Sequence, residues 1–175
     1  GREYAVKSGE EPAVAQGIFE HYLPRFAGDI LPETTIGTLV SIADKIDAIV
    51  GCFAVGIQPT GSQDPYALRR QAQGITLIIL EKELNLSLRD LITRAYAAYE
   101  GKIKAKLDRE EALGEVQDFF RQRLKNIFSD RGLSYDVIEA VLEAGFDRPT
   151  AAWKRARALA ELRDQAEFAK LLTAF

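Results

Sequence analysis

The 175-residue chain contains no methionine, one cysteine, one histidine and one tryptophan. The single Cys52 excludes an internal disulfide framework and favours a reducing, cytoplasmic setting. The single His21 excludes a histidine-rich metal site built from this chain alone. No apolar run approaches the roughly 18–20 residues that cross a bilayer, and Ala48–Ile57 is too short; no membrane partner is expected. A chain that opens on glycine and has no methionine is expected to be an excised fragment. Phosphate-cradling fingerprints are absent, since the spacing of Gly56, Gly61 and Gly74 matches neither a P-loop nor a dinucleotide motif. Alternating strand patterns are missing too.

What is present is ordinary for a globular protein: 47% hydrophobic and 28% charged residues, with a net charge of −3. No global basic field attracts nucleic acid. The charge is uneven: residues 1–87 hold 7 Lys/Arg against 11 Asp/Glu, and the remainder 16 against 15. Polyanion contacts would therefore rest on local clusters or on the second half.

Helical periodicity runs through nearly the whole chain, which predicts an all-α fold. Pro12 opens a helix to about Tyr22. Ile36, Leu39, Val40, Ala43, Ile46, Ile49, Val50 and Phe53 recur at helical spacing, as one apolar face. A loop from Gly56 ends at Asp64-Pro65, read as an N-cap and first helical residue, and that helix fades near Asn85. Ser87 caps a helix ended by Gly101. Asp108 opens another that stops at Arg131-Gly132. Ser134 caps a short helix, and Asp147-Arg148-Pro149 starts a last one that bends near Arg163-Asp164. The basic connector divides the chain weakly into 1–101 and 102–175.

Several groups could carry chemistry. Asp44 and Asp47, three apart, share a helix face, as a solvated acidic surface or as cation ligands. Asp64 occupies the amides that would otherwise attract an anion. Arg69 and Arg70 either contact phosphate or pair with Asp44, Asp47 or Asp64 and pin two helices. Lys102, Lys104, Arg148, Lys154 and Arg155 form looser groups that either neutralise phosphates or make a solvated face. Trp153 reads as a core anchor or a base-stacking platform. His21 reads as a helix-end residue beside Tyr22, and Cys52 as a buried inert thiol.

The stretch IADKIDAIVGCFAVGIQPTGSQDPYALRRQAQGI resembles the bacterial glycyl-tRNA synthetase beta subunit family. The Ala-Asp-Lys-x-Asp segment and the Pro-Thr-Gly-Ser-x-Asp-Pro-aromatic-Ala-Leu-Arg-Arg string are both met between Ala43 and Arg70. GREYAVKSGE and VAQGIFEHYLPRFAGDILP support it at the start, and YDVIEAVLEAG and FAKLLTAF more loosely at the end. The resemblance implies the C-terminal part of an HD-like helical domain over 1–101. Over 102–175 it implies a helical segment leading toward an anticodon-binding domain. Asp44 matches the distal Asp of an HD metal site; the other ligands are absent, so Asp44 is a degenerate position, no metal is expected here, and Asp44, Asp47, Asp64 and Pro65 are structural. It further implies an aminoacyl-tRNA synthetase module without catalytic residues or a cofactor of its own. ATP and Mg are then expected in the alpha subunit, and the partners are tRNA(Gly), that subunit and other domains of the beta subunit. Two rivals are an HD-type metal-dependent phosphohydrolase fragment and a purely structural inter-domain module.

Overall fold

The computed structural model describes residues 1–163; the C-terminal FAKLLTAF lies outside them, and the bend expected at Arg163-Asp164 falls at their edge. Within them are eight α-helices: α1 (Arg2–Lys7), α2 (Pro12–Glu20), α3 (Thr35–Ala54), α4 (Leu68–Glu81), α5 (Leu88–Tyr99), α6 (Arg109–Asp130), α7 (Tyr135–Glu143) and α8 (Pro149–Arg163). The all-α expectation holds. The short α1 is an addition to it, and α2 and α4 end at Glu20 and Glu81, earlier than Tyr22 and Asn85.

Local chemistry sets the boundaries. Thr34 Oγ1 accepts from the Gly37 amide at 2.9 Å, and Ser87 Oγ from the Asp90 amide at 3.0 Å. Asp108 and Glu111 form a reciprocal capping box at 2.9 Å each way, satisfying two otherwise orphaned amides. Gly132 has a positive φ of 86°, and the Leu133 amide reaches back to Phe128 O at 3.1 Å to close α6. Ser134 occupies the N-cap position of α7 without capping through its side chain; its hydroxyl accepts from Arg163 instead.

The start of α4 differs from the sequence expectation. Its N-cap is Ala67, in the left-handed region at φ 53°, and its first residue is Leu68. Asp64 and Pro65 sit in the turn before it. The Asp64 carboxylate nevertheless reaches over the turn and accepts from the Leu68 and Arg69 amides at 2.8 and 3.0 Å. Asp64 thus satisfies the helix start from outside the helix.

The long helix α3 packs against α2, α4, α5 and α6, and α4 also meets α6 and α8. One hydrophobic cluster joins Ile49, Ile75, Ile78, Phe120, Phe128 and Ile138. That cluster extends to both sides of the Gly101–Asp108 connector. Ile46, Ile49, Val50 and Phe53 are buried as expected. Ile36, Leu39, Val40 and Ala43, placed on the same apolar face by periodicity, are exposed. The apolar stripe is wider than the neighbours of α3 cover among the described residues, so part of its first turns stays exposed there.

Candidate functional site

Buried polar ties fix the segment between α2 and α3 onto α3. Glu20 is only 1% exposed. Its carboxylate accepts from Gln16 Nε2 at 2.8 Å, from the Thr34 amide at 3.1 Å and from the Glu33 amide at 3.3 Å. The Thr34 hydroxyl also donates to it. Burial alone would raise this carboxyl's pKa; the hydrogen bonds from Thr34, Gln16 and the two amides outweigh it and hold the pKa below the ordinary value. Gly37 makes the approach possible: a Cβ there would lie 1.8 Å from Glu20 Oε2.

Lys45, 5% exposed, is the second tie. Its Nζ donates to His21 O at 2.8 Å, Leu23 O at 3.0 Å and Ser41 Oγ at 2.8 Å. Three acceptors match the three hydrogens of an ammonium. Burial lowers its pKa to about 8, with the Asp44 charge opposing. Neither tie is announced by local pattern beyond a charged residue set in an otherwise apolar helical stretch.

These ties frame a cleft of about 310 Å³ whose walls include Tyr22, Arg25, Asp44, Arg70 and Gln71. Arg25 grips Asp29 through two bonds of 2.8 and 3.0 Å, which hold the Asp29 carboxyl well below its usual range. Arg70 Nη1 donates to Arg25 O at 3.2 Å. The His21 ring stacks beside Tyr22 at 3.9 Å, and its Nδ1 lies 2.7 Å from Ile18 O.

The two acidic residues of the Ala-Asp-Lys-x-Asp segment diverge. Asp44 lines the Tyr22–Arg70 cleft, whereas Asp47 accepts from Tyr99 Oη at 2.8 Å and borders a groove between α3 and α5. Burial, with the Asp47 bond adding, pushes the Tyr99 hydroxyl up to about 12. Among the described residues, neither Arg69 nor Arg70 makes an ion pair with Asp44, Asp47 or Asp64. The anticipated pin is therefore replaced: Asp64 holds α4 through backbone amides, and Arg70 holds the loop after α2 through a carbonyl. Nor do three His, Cys, Asp or Glu side chains converge in a metal-binding group among the described residues. Cys52 is half-buried, and burial raises its thiol pKa, with Asp64 adding to the effect.

The candidate cations fall in separate places. Arg69 and Arg70 stand at the start of α4. At its other end, Arg148 donates to Asn85 Oδ1 at 2.7 Å and Lys154 pairs with Glu83 at 3.5 Å. The 14 residues of α4 put these groups about 20 Å apart. Arg155 donates to Gly145 O. Lys102 and Lys104 are exposed in the α5–α6 connector. Arg123 lies near Arg69; burial lowers its pKa, the Arg69 charge adds to this, and Asp64 opposes. Its guanidinium stacks 4.9 Å from the Phe119 ring. Trp153 packs on Phe128 at 5.1 Å and under Arg131 at 4.9 Å, as a core anchor.

The described residues thus define an all-α module whose buried polar groups are mostly spent on fixing helices and loops to one another. The model describing the glycyl-tRNA synthetase beta subunit matches residues 1–143. The chain is 58% identical over its whole length to the glycine–tRNA ligase beta subunit of Desulforamulus reducens. It is 49% identical to that of Desulforudis audaxviator and 47% to that of Clostridioides difficile, again over its whole length. In each case it spans 25% of the relative. The chain belongs to the glycyl-tRNA synthetase beta subunit family.

Proposed function

We propose that these 175 residues form a scaffold and tRNA-contacting module of a glycine–tRNA ligase, with aminoacylation, ATP and Mg belonging to the alpha subunit. The observation that carries this reading is the family match across residues 1–143, joined to high identity over the full chain. The arrangement of charge supports it. Arg69 has no side-chain hydrogen bond or ion pair among the described residues, and Lys102 and Lys104 project from an exposed connector, so these cations remain available to phosphates. Arg148, Lys154 and Arg155 already have acceptors and would have to exchange them for RNA. The phosphohydrolase alternative draws no support from Asp44, which shares its cleft with Lys45, Arg25 and Arg70 rather than with further metal ligands.

The test is fluorescence-anisotropy binding of tRNA(Gly) and a non-cognate tRNA at several salt concentrations. Affinity is expected to fall as salt rises. Arg69→Glu, alone and with Lys102→Glu/Lys104→Glu, is expected to flatten the slope by about 0.7–0.9 for each phosphate that is no longer neutralised. Absence of binding at low salt would overturn the tRNA-contacting part and leave a purely structural module.

A further inference from the structure

The first two turns of α3 carry Ile36, Leu39, Val40 and Ala43 at i, i+3, i+4 and i+7, the spacing by which one helix packs on another. All four are exposed, with Ile36 at 50%, Leu39 at 58% and Val40 at 43%. Beside them a groove of about 440 Å³ runs between α3 and α5, lined by Leu39, Ala43, Ile46, Leu91 and Ala95. Arg94 stands exposed at its edge, with no hydrogen bond or ion pair among the described residues. The patch does not stand alone: most of the large apolar side chains left exposed lie before Ser41, including Tyr4, Val6 and Val14 on α1 and α2. An exposed apolar helix face beside an apolar groove, with a charge at its edge, is the mark of an interaction site.

We infer that the Ile36–Ala43 face and the α3–α5 groove form the docking site for an amphipathic helix from the part of the same subunit that these 175 residues do not span. Three observations select that occupant. The relatives are about four times as long as this chain, so most of the polypeptide that could cover the face lies outside it. The exposed residues repeat with helical period on a rigid helix, which fits an aliphatic helix at matching spacing better than a polyanion. The unpartnered Arg94 calls for an acidic residue at one edge of the incoming helix.

The experiment places cysteine at the face with Leu39→Cys and compares the chain with the full-length subunit. Maleimide labelling is read at the peptide containing residue 39 by mass spectrometry, so other thiols do not interfere. Labelling is expected to be at least tenfold slower in the full-length subunit than in the chain. A benzophenone-maleimide at the same position is expected to capture a peptide of the same polypeptide from outside residues 1–175. Equal labelling rates would overturn the inference. So would protection that appears only on adding the alpha subunit or tRNA. Concentration-dependent protection within the chain alone, or capture of a second copy of residues 1–175, would also overturn it. Leu39→Asp supplies a check that needs no labelling. It is expected to leave the Tm of the chain unchanged and to lower the Tm of the full-length subunit; an unchanged Tm in the full-length subunit counts against the docking site.

Discussion

Replacing Glu20 tests whether buried polar ties, rather than apolar burial alone, hold the α2–α3 segment in place. Glu20→Ala removes an acceptor serving the Thr34 hydroxyl, the Thr34 and Glu33 amides and Gln16. Leaving a buried donor unsatisfied costs about 1–3 kcal/mol, and bonds to a charged group sit at the upper end of net hydrogen-bond values. Glu33 and Thr34 are both exposed and Gln16 can turn outward, so water takes over part of the bonding that these donors lose. The expected destabilisation is about 1–3 kcal/mol. Glu20→Gln keeps the shape but sets an amide N–H against donors; because the Thr34 hydroxyl can rotate to accept, about 1–3 kcal/mol is expected. Thr34 caps α3, so the loss should weaken the start of that helix first. The carboxyl's folded pKa lies below its unfolded value, so its ionised form adds stability at neutral pH that is lost as pH falls through the folded pKa. Urea unfolding followed by circular dichroism, repeated from pH 7 to pH 3, reads both effects. Glu20→Gln is expected to lower the midpoint at pH 7 and flatten the acid-side fall. Identical midpoints, or parallel acid profiles, would refute the reasoning.

Three further outcomes are expected. Gly37→Ala, which drives a methyl into Glu20, should cost more than about 2 kcal/mol by urea unfolding, and much less in a Glu20→Ala background, because the second change removes the clash. Gly51→Ala places a Cβ 2.6 Å from Tyr99 Oη, so about 1–3 kcal/mol of stability should be lost, whereas Tyr99→Phe should cost about 1 kcal/mol through loss of the Asp47 bond; urea unfolding reads both. Lys45 has a folded pKa near 8, below its unfolded value, so the unfolded chain binds more protons above pH 8. Stability should therefore gain from this group as pH rises from 8 toward 10, and Lys45→Met should remove that gain in thermal melts measured across the range.

Helix positions were legible in the sequence because caps and periodicity act over a few residues. Ser87, Asp108 and Gly132 are local signals, and the structure uses each where the sequence places it. Asp64 shows the limit of such reading. Its neighbour Pro65 imitates a helix start, yet the turn continues to Ala67, and the carboxylate caps the helix from a distance. The site was less legible. Asp44 and Asp47 look like a pair, but helix neighbours only three residues apart face different clefts once α5 and the loop after α2 close on either side.

The sequence by itself determined an all-α chain, its family and most of its helix ends, since each rests on local pattern or on a long specific string. Tertiary structure alone decided which charges are tied. Glu20 and Lys45 lie many residues from most of the groups they bind, and nothing in their immediate neighbours announces those partners. It also decided which apolar residues stay bare. Ile36, Leu39, Val40 and Ala43 carry the same helical spacing as the core residues after them, and spacing records that a face is apolar without recording what covers it. Burial depends on which helices arrive against that face; α2 borders it at Ile36 and α5 at Leu39 and Ala43, and the described residues leave the rest open.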